Sequence, residues 1–202
     1  MLNVRRISSI QSQIADILRA EIISGELPVG EKLNELELAK RFGVSRGPIR
    51  DVLLLLGKEG LTLTKGSAGT CVAQPMDSKV EKVLNDVRLK IEEFAIKQLK
   101  QDATHDDIAN LESILNRMSL HCDRAESMDF INADIDFHKY CVEQAGGTDL
   151  VNVWYPIVLR MHMNKGLAEI NAHDVEEHAA IINALKEKDS KAAITALRQN
   201  IK

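Results

Sequence analysis

The side chains with the clearest potential for chemistry in this chain are a carboxylate and an imidazole four positions apart, Asp134 and His138. The apolar residues around them predict a helix, and the spacing places both polar groups on its buried face. A second imidazole, His178, and an amide, Asn200, fall on the apolar stripes of two later helices. Because burial of such groups without partners is costly, we expect them to share a partner.

A transition-metal ion is one such partner. An Asp and a His one helical turn apart, with a further His from another helix, can hold the ion and leave a position open for a ligand or water. The alternative is a hydrogen-bonded pair of Asp134 and His138 in the core, with His178 as an ordinary core histidine. His162 lies on an apolar face of the predicted helix that comes before the helix of His178. It either faces the cavity that would hold the ion or packs in the core.

A second set of candidates lies in residues 33–56, which predict two short helices around a tight turn. Ser45 is expected to cap the second helix, and Arg46 and Arg50 follow one turn apart at its N-terminal end. Both arginines can reach phosphates or guanine edges from there, and Gly47 between them allows close backbone approach. The alternative is an arginine pair on a solvated flank.

Residues 61–64 and 70–73 predict two short strands joined by residues 65–69, with Lys65 near the tip of the hairpin. An apolar stripe between residues 10 and 22 predicts a further helix before the two short ones. A helix, a helix-turn-helix and a hairpin in this order predict a winged helix, in which the second short helix enters the major groove and the wing touches the DNA backbone or minor groove.

The remainder of the chain is helical in pattern. We expect a DNA-binding domain at residues 1–74, a linker at 75–79 and an all-α bundle at 80–202, so that the fold class is mostly α. Six bundle helices are predicted, near residues 78–101, 104–122, 126–145, 148–168, 172–188 and 190–201, with Gly146-Gly147 separating the third from the fourth.

Composition and charge limit the functional classes. The 202 residues are 45% hydrophobic and 28% charged, and they include neither a membrane span nor an apolar targeting segment, so a cytoplasmic location is expected. The three cysteines are far apart and indicate reduced structural thiols. Residues 1–75 carry ten Lys/Arg and eight Asp/Glu, a net charge of +2, whereas residues 76–202 carry a net of −6. Because +2 is modest, we expect a homodimer on a two-fold related operator.

The segment ISGELPVGEKLNELELAKRFGVSRGPIRDVLLLLGKEGLTL resembles the DNA-binding domain of the GntR family of bacterial transcription regulators. The resemblance covers residues 10–73. It implies that Arg46 and Arg50 are the principal DNA contacts, with Gly47 beside them and Gly69 at the wing. Some members carry an arginine at the start of the first short helix, where this chain has Glu35-Leu36-Glu37.

Residues 80–201 resemble the FCD effector domain that accompanies one branch of these regulators, and the six helices are similar to the VanR-like group. In metal-binding members an Asp-x-x-x-His motif, here Asp134 and His138, joins the His of a later Glu-His pair, here His178. A histidine in the last helix usually completes the set, but Asn200 stands at that place here. The resemblance implies zinc, nickel or manganese as the metal.

The resemblance also implies that Arg88, on the core-facing stripe of the first bundle helix, meets an anionic effector, as guanidinium geometry favours. A salt bridge to Glu92, four residues on, is the alternative. His162 and Asn200 are further candidate effector ligands.

Together these patterns predict a ligand-responsive regulator rather than an enzyme. Members of such families are usually repressors, so the resemblance implies a repressor that a small organic acid releases from double-stranded DNA. The rival hypotheses are a constitutive DNA-binding protein whose bundle only dimerises, and a metal-dependent hydrolase or isomerase.

Overall fold

The computed structural model describes residues 9–66, 69–167 and 170–201. The chain divides into two compact units, Met1–Pro75 and Met76–Lys202. The predicted fold class is confirmed, since the first unit is a winged helix and the second is built from helices. Ser67 and Ala68 of the predicted wing turn, and the expected end of the fourth bundle helix at residue 168, lie outside the described residues.

Three helices form the body of the first unit. Asn34 caps the second of them, because its side chain accepts a hydrogen bond from the backbone N–H of Leu36 at 2.8 Å. That helix ends where Gly43 adopts a left-handed conformation with φ 65°, which favours glycine. Leu18 and Ile49 are fully buried between the first and third helices. The helices are α1 (Ile10–Ser24), α2 (Glu35–Phe42) and α3 (Arg46–Lys58).

The wing is a two-stranded antiparallel hairpin, β1 (Thr62–Thr64) and β2 (Thr70–Val72), with Thr62 opposite Val72. The backbone N–H of Lys65 donates to the carbonyl of Gly69 at 3.0 Å. This bond holds together the two ends of the turn, where Lys65 is exposed.

The helices of the second unit are α4 (Ser78–Asp102), α5 (His105–Asp123), α6 (Ser127–Lys165), α7 (Ala172–Lys186) and α8 (Ser190–Asn200). They form a bundle in which α4 packs against α6 and α8, α5 packs against α6 and α7, and α7 packs against α8. Trp154 and Phe137, both on α6, are fully buried at its centre. No described helix of the chain is both long and apolar enough to span a membrane.

α6 is interrupted at Gly147, whose φ of 58° and ψ of −155° are not helical. A side chain at the preceding Gly146 would displace Leu150, because a Cβ there would lie 2.2 Å from Leu150 Cδ1. The break coincides with the predicted boundary between the third and fourth bundle helices. When the two segments of α6 are counted separately, the described residues contain the six predicted bundle helices.

Candidate metal centre and nucleic-acid interface

Three side chains of types that can ligate a metal ion, from two helices, meet in the core of the bundle. Asp134 and His138 come from the first segment of α6, and His178 comes from α7. His178 Nε2 lies 3.1 Å from Asp134 Oδ1 and 3.2 Å from His138 Nε2, while His138 Nε2 and Asp134 Oδ1 are 3.9 Å apart. Both imidazoles are fully buried, and the carboxylate is partly exposed. These described residues can therefore place three donor atoms around one small volume.

The other nitrogen of each imidazole has its own partner. His178 Nδ1 lies 2.7 Å from the backbone carbonyl of Asp174, and His138 Nδ1 lies 2.5 Å from Glu92 Oε2. Because a carbonyl and an ionised carboxylate only accept hydrogen bonds, each Nδ1 carries a proton. In the neutral tautomers the two Nε2 atoms therefore present facing lone pairs, which repel unless a proton or a metal cation lies between them.

Asp134, His138 and His178 form a cluster that we call the triad. Glu92 of α4 connects this triad to the rest of the core. Its Oε1 accepts hydrogen bonds from Arg88 Nε at 2.8 Å and from Trp154 Nε1 at 2.7 Å. Burial opposes ionisation of Glu92, but its contacts with His138 and Arg88 outweigh burial and lower its pKa to about 2. Glu92 is thus a buried carboxylate that orients His138.

Arg88 is buried and forms the salt bridge to Glu92 that was one of its two predicted alternatives. Arg88 is therefore linked to the triad indirectly, because it pairs with Glu92 and Glu92 contacts His138. Sequence reasoning treated Glu92 only as a partner of Arg88 and missed its contact with His138. The available signal was a carboxylate on the apolar stripe of α4, but its target lies on a different helix.

His162, from the second segment of α6, also faces the triad. Its Nε2 lies 3.6 Å from Asp134 Oδ2 and, among the described residues, is buried without a hydrogen-bond partner. Burial raises the pKa of Asp134, but contacts with His162 and His178 reverse this and hold the pKa well below its ordinary value. Asp134 is therefore an ionised carboxylate between two imidazoles.

Asn200 does not join the donor atoms of Asp134, His138 and His178. Its amide Nδ2 is 3.3 Å from His178 Nδ1 and 3.4 Å from Glu177 Oε2. The predicted donors are therefore not all brought together, because Asn200 meets the ring nitrogen of His178 opposite to the one that faces Asp134 and His138. The end of α8 packs beside α7 rather than over the donor atoms.

The predicted DNA-contacting residues lie at the N-terminus of α3 and at the wing. Arg46 and Arg50 are exposed, and a Cβ at Gly47 would meet no atom within 4 Å. Ser45 occupies the predicted N-cap position of α3, but its side chain makes no capping hydrogen bond. A serine hydroxyl can rotate away from the helix, and residue type alone does not determine its direction.

Both arginines are paired with Glu35, the first residue of α2. Arg46 Nη2 donates to Glu35 Oε2 at 2.9 Å, and Arg50 donates through Nη2 to Oε2 at 3.1 Å and through Nε to Oε1 at 3.3 Å. Hydrogen bonds from Arg50 and Arg46 lower the pKa of Glu35. Sequence reasoning noted Glu35 only as a departure from relatives that carry arginine nearby.

At the wing, Gly69 has φ 85°, a left-handed conformation that favours glycine. Lys65 extends from the other end of the turn. Together with Ser45, Arg46, Gly47 and Arg50, these residues belong to the same compact unit.

Each of the two units matches a known protein family. Residues 10–72 match the gntR family of bacterial regulatory proteins, and residues 84–202 match the FCD domain. The chain is 28% identical to the gluconate operon transcriptional repressor of Bacillus licheniformis, over 93% of this chain and 80% of that one. It is also 28% identical to the uncharacterized HTH-type transcriptional regulator YdhC of Bacillus subtilis, over 90% of this chain and 83% of that one.

Among solved structures, Escherichia coli McbR/YncC has the same fold, with a TM-score of 0.81 at 20% identity over 96% of this chain and 94% of that one. The two family matches together cover the winged helix and nearly all of the helical bundle. The chain therefore belongs to the GntR family of bacterial regulatory proteins, in the branch that carries an FCD domain, and is a DNA-binding transcription regulator.

Proposed function

We propose that this regulator is a repressor that leaves its operator when a small carboxylate binds at a metal ion held by Asp134, His138 and His178. The observation that carries the proposal is the 3.2 Å separation of the two imidazole Nε2 atoms. Two ligand atoms that each lie about 2.0–2.2 Å from one tetrahedral ion are roughly 3.3 Å apart. The 3.2 Å and 3.1 Å separations suit one ion as they stand, while the 3.9 Å between His138 Nε2 and Asp134 Oδ1 would shorten by about 0.6 Å on binding.

The surrounding residues support the same assignment. The Asp174 carbonyl accepts a hydrogen bond from His178 Nδ1, and Glu92 lies in ion-pair contact with His138 Nδ1. A proton held on each outer nitrogen leaves the lone pair of Nε2 facing inward. Two nitrogens and one carboxylate oxygen form a donor set suited to zinc, nickel or manganese. When bound, such an ion supplies a Lewis-acidic position that a carboxylate can occupy.

The effector is then held by groups around this position. His162 faces Asp134 with a buried Nε2 that has no hydrogen-bond partner among the described residues, so it can donate to an effector carboxylate. Arg88 pairs with Glu92, which contacts His138, and the amide of Asn200 lies beside the outer nitrogen of His178. A sugar acid is a suitable first effector to test, because a relative is named as a gluconate operon repressor. We assign the centre a regulatory role and no catalytic one, since both matched families and the relatives are regulators.

DNA binding is assigned to Ser45, Arg46, Gly47 and Arg50 at α3 and to Lys65 and Gly69 at the wing. A homodimer would place two copies of α3 on two half-sites. The exposed apolar residues of α4 offer the surface for a second copy of the chain, because they recur at heptad-like spacing at Val80, Val83, Val87 and Phe94.

The proposal is tested on a duplex that the protein itself selects from a random-sequence pool, which we name the selected duplex. Affinity is measured by fluorescence anisotropy for zinc-loaded and chelated protein, each with and without gluconate. We expect gluconate to weaken binding only when zinc is present, by about 5- to 150-fold, the usual range of allosteric coupling. If gluconate and a panel of related sugar acids leave the affinity unchanged in both states, the proposed release mechanism fails.

A further inference from the structure

We propose that Glu35 determines the DNA specificity of this protein by holding Arg46 and Arg50 together and by opposing their contacts with phosphates. The inference rests on the proposed DNA contacts of the two arginines, and it adds a residue to which no DNA role has been given. The juxtaposition is specific: one carboxylate at the start of α2 accepts three hydrogen bonds from the two guanidinium groups of α3.

The three bonds define the positions of the guanidinium groups. Glu35 Oε2 accepts from both Arg46 Nη2 and Arg50 Nη2, while Oε1 accepts from Arg50 Nε, so the contact with Arg50 is a two-bond fork. Fork geometry fixes the plane of a guanidinium as well as its position. The hydrogen bond with Glu35 also raises the pKa of Arg50. The arginines are therefore arranged as a pair before DNA arrives.

This arrangement can still exchange with DNA. The arginine side chains are 59% and 60% exposed, against 28% for Glu35. Ion pairs at such exposure are weak and are screened by salt, so a nucleic acid can take over some of the donors. Glu35 thus limits the motion of the arginines without preventing their contact with a base.

The effect of Glu35 differs between the two kinds of DNA binding. Binding without sequence preference depends on phosphate contacts, and a carboxylate between two arginines repels phosphates and offsets part of the positive charge. Recognition of guanine depends on the orientation of the guanidinium group, which the carboxylate helps to set. Loss of the carboxylate should therefore strengthen non-specific binding more than specific binding.

Glu37 provides a matched control. It lies two residues further along α2, is exposed, and is not among the hydrogen-bond or ion-pair partners of the two arginines. Glu35→Gln and Glu37→Gln remove one negative charge each from the same helix and keep the side-chain size. Any difference between the variants therefore reflects the contact with the arginines and not net charge alone.

The experiment measures the affinity of the full chain for the random-sequence duplex pool and for the selected duplex, at several salt concentrations. We expect Glu35→Gln to bind the pool about tenfold more tightly, with a salt slope steeper by roughly one, and to bind the selected duplex with less than a threefold change. Glu37→Gln should stay within about twofold of wild type on both, because its carboxylate lies outside the arginine pair.

The inference is overturned if Glu35→Gln behaves like Glu37→Gln, or if it changes both affinities by the same factor. Thermal unfolding of each variant tests whether the contact of Glu35 with the arginines is only structural. In that case its loss would lower the melting temperature and leave the ratio of the affinities for the selected duplex and the pool unchanged. Arg46→Ala and Arg50→Ala test the underlying assignment separately. If these two variants keep full affinity for the selected duplex, the proposed DNA contacts are wrong, whatever the Glu35 result.

Discussion

His138 and His178 face each other through their Nε2 atoms at 3.2 Å, and the Nδ1 atom of each is committed to a different acceptor. Neither imidazole can turn its outer nitrogen inward without breaking a buried contact. The pair is therefore arranged in advance to share a cation or a proton, and the two possibilities predicted from the sequence, a metal site and a hydrogen-bonded pair, use the same atoms.

Replacement of Glu92 by Gln should weaken metal binding although Glu92 contributes no atom to the proposed donor set. The amide removes the negative charge beside His138 Nδ1, so we expect a loss of about 10- to 100-fold in zinc affinity. A competition titration with a chromophoric chelator measures it. Unchanged affinity in a folded variant would show that Glu92 only compensates the charge of Arg88.

The same substitution should also destabilise the bundle. Arg88 is buried and pairs with Glu92, so the neutral amide leaves a buried charge without its carboxylate. Loss of one partner of such a pair costs about 3–5 kcal/mol. Urea unfolding monitored by circular dichroism gives the change. The double variant Arg88→Met/Glu92→Gln should recover part of the stability, and a double variant no more stable than Glu92→Gln would contradict this explanation.

His162→Ala should separate effector binding from metal binding. Because His162 Nε2 lies 3.6 Å from the second oxygen of Asp134, the variant keeps all three proposed donor atoms. We expect zinc affinity within about threefold of wild type and loss of the response of the melting temperature to gluconate. His105→Ala, on the exposed first residue of α5, is the control. A variant that loses zinc to the same extent as His138→Ala would instead make His162 a metal ligand.

The N-terminus of α5 should show a pH-dependent contribution to stability. Asp107 accepts hydrogen bonds from the Thr104 backbone, the Tyr140 hydroxyl and the Thr104 hydroxyl, and these lower its pKa. A carboxyl whose pKa is lower in the folded state stabilises the protein above its unfolded pKa, near 3.9, and loses that contribution as pH falls through the folded pKa.

We therefore expect Asp107→Asn to lower the free energy of unfolding by at most about 1 kcal/mol at neutral pH, because a carboxylate in the first turn of a helix near the surface contributes roughly 0.3–1 kcal/mol. The difference from wild type should shrink as the pH falls below about 4 and through the lowered folded-state pKa of Asp107, where the carboxyl becomes neutral like the amide. Urea unfolding at a series of pH values measures this difference. A difference that stays constant down to the acid limit would mean that the charge of Asp107 is not involved.

A charge on the outer face of α4 should prevent dimer formation. Val83 is 61% exposed and lies in the middle of the apolar row on that helix, so Val83→Glu would bury a carboxylate in the proposed interface. Light scattering after gel filtration should give a dimer for wild type and a monomer for the variant. Leu120→Glu, at an exposed position on α5, is the control and should remain dimeric. A dimeric Val83→Glu protein would exclude this face of α4 as the interface.

Local chemistry was sufficient to predict much of the fold. Asn34 and Gly43 delimit α2 as expected, and the Gly146-Gly147 pair interrupts α6, because these residues determine backbone conformation within a few positions. The spacing of Asp134 and His138 likewise predicts a shared helix face. Such statements need no knowledge of distant residues.

Contacts between helices could not be predicted in the same way. His138 meets Glu92 of α4, and Arg46 meets Glu35 of α2, and neither pair has a sequence spacing that indicates proximity. Asn200, like His138, was a candidate metal ligand, but the register of α8 against α7 places the Asn200 amide beside the outer nitrogen of His178. That register depends on side-chain packing along the whole helix.

Metal content is the most direct test of the proposed centre. The protein, purified without an affinity tag and dialysed against zinc, nickel or manganese, is measured by elemental mass spectrometry beside His138→Ala and His105→Ala. We predict about one ion per chain in wild type and His105→Ala and none in His138→Ala, with all three folded by circular dichroism. Folded wild-type protein that retains none of the three metals would contradict the metal centre and leave His138, His178 and Asp134 as a hydrogen-bonded core cluster.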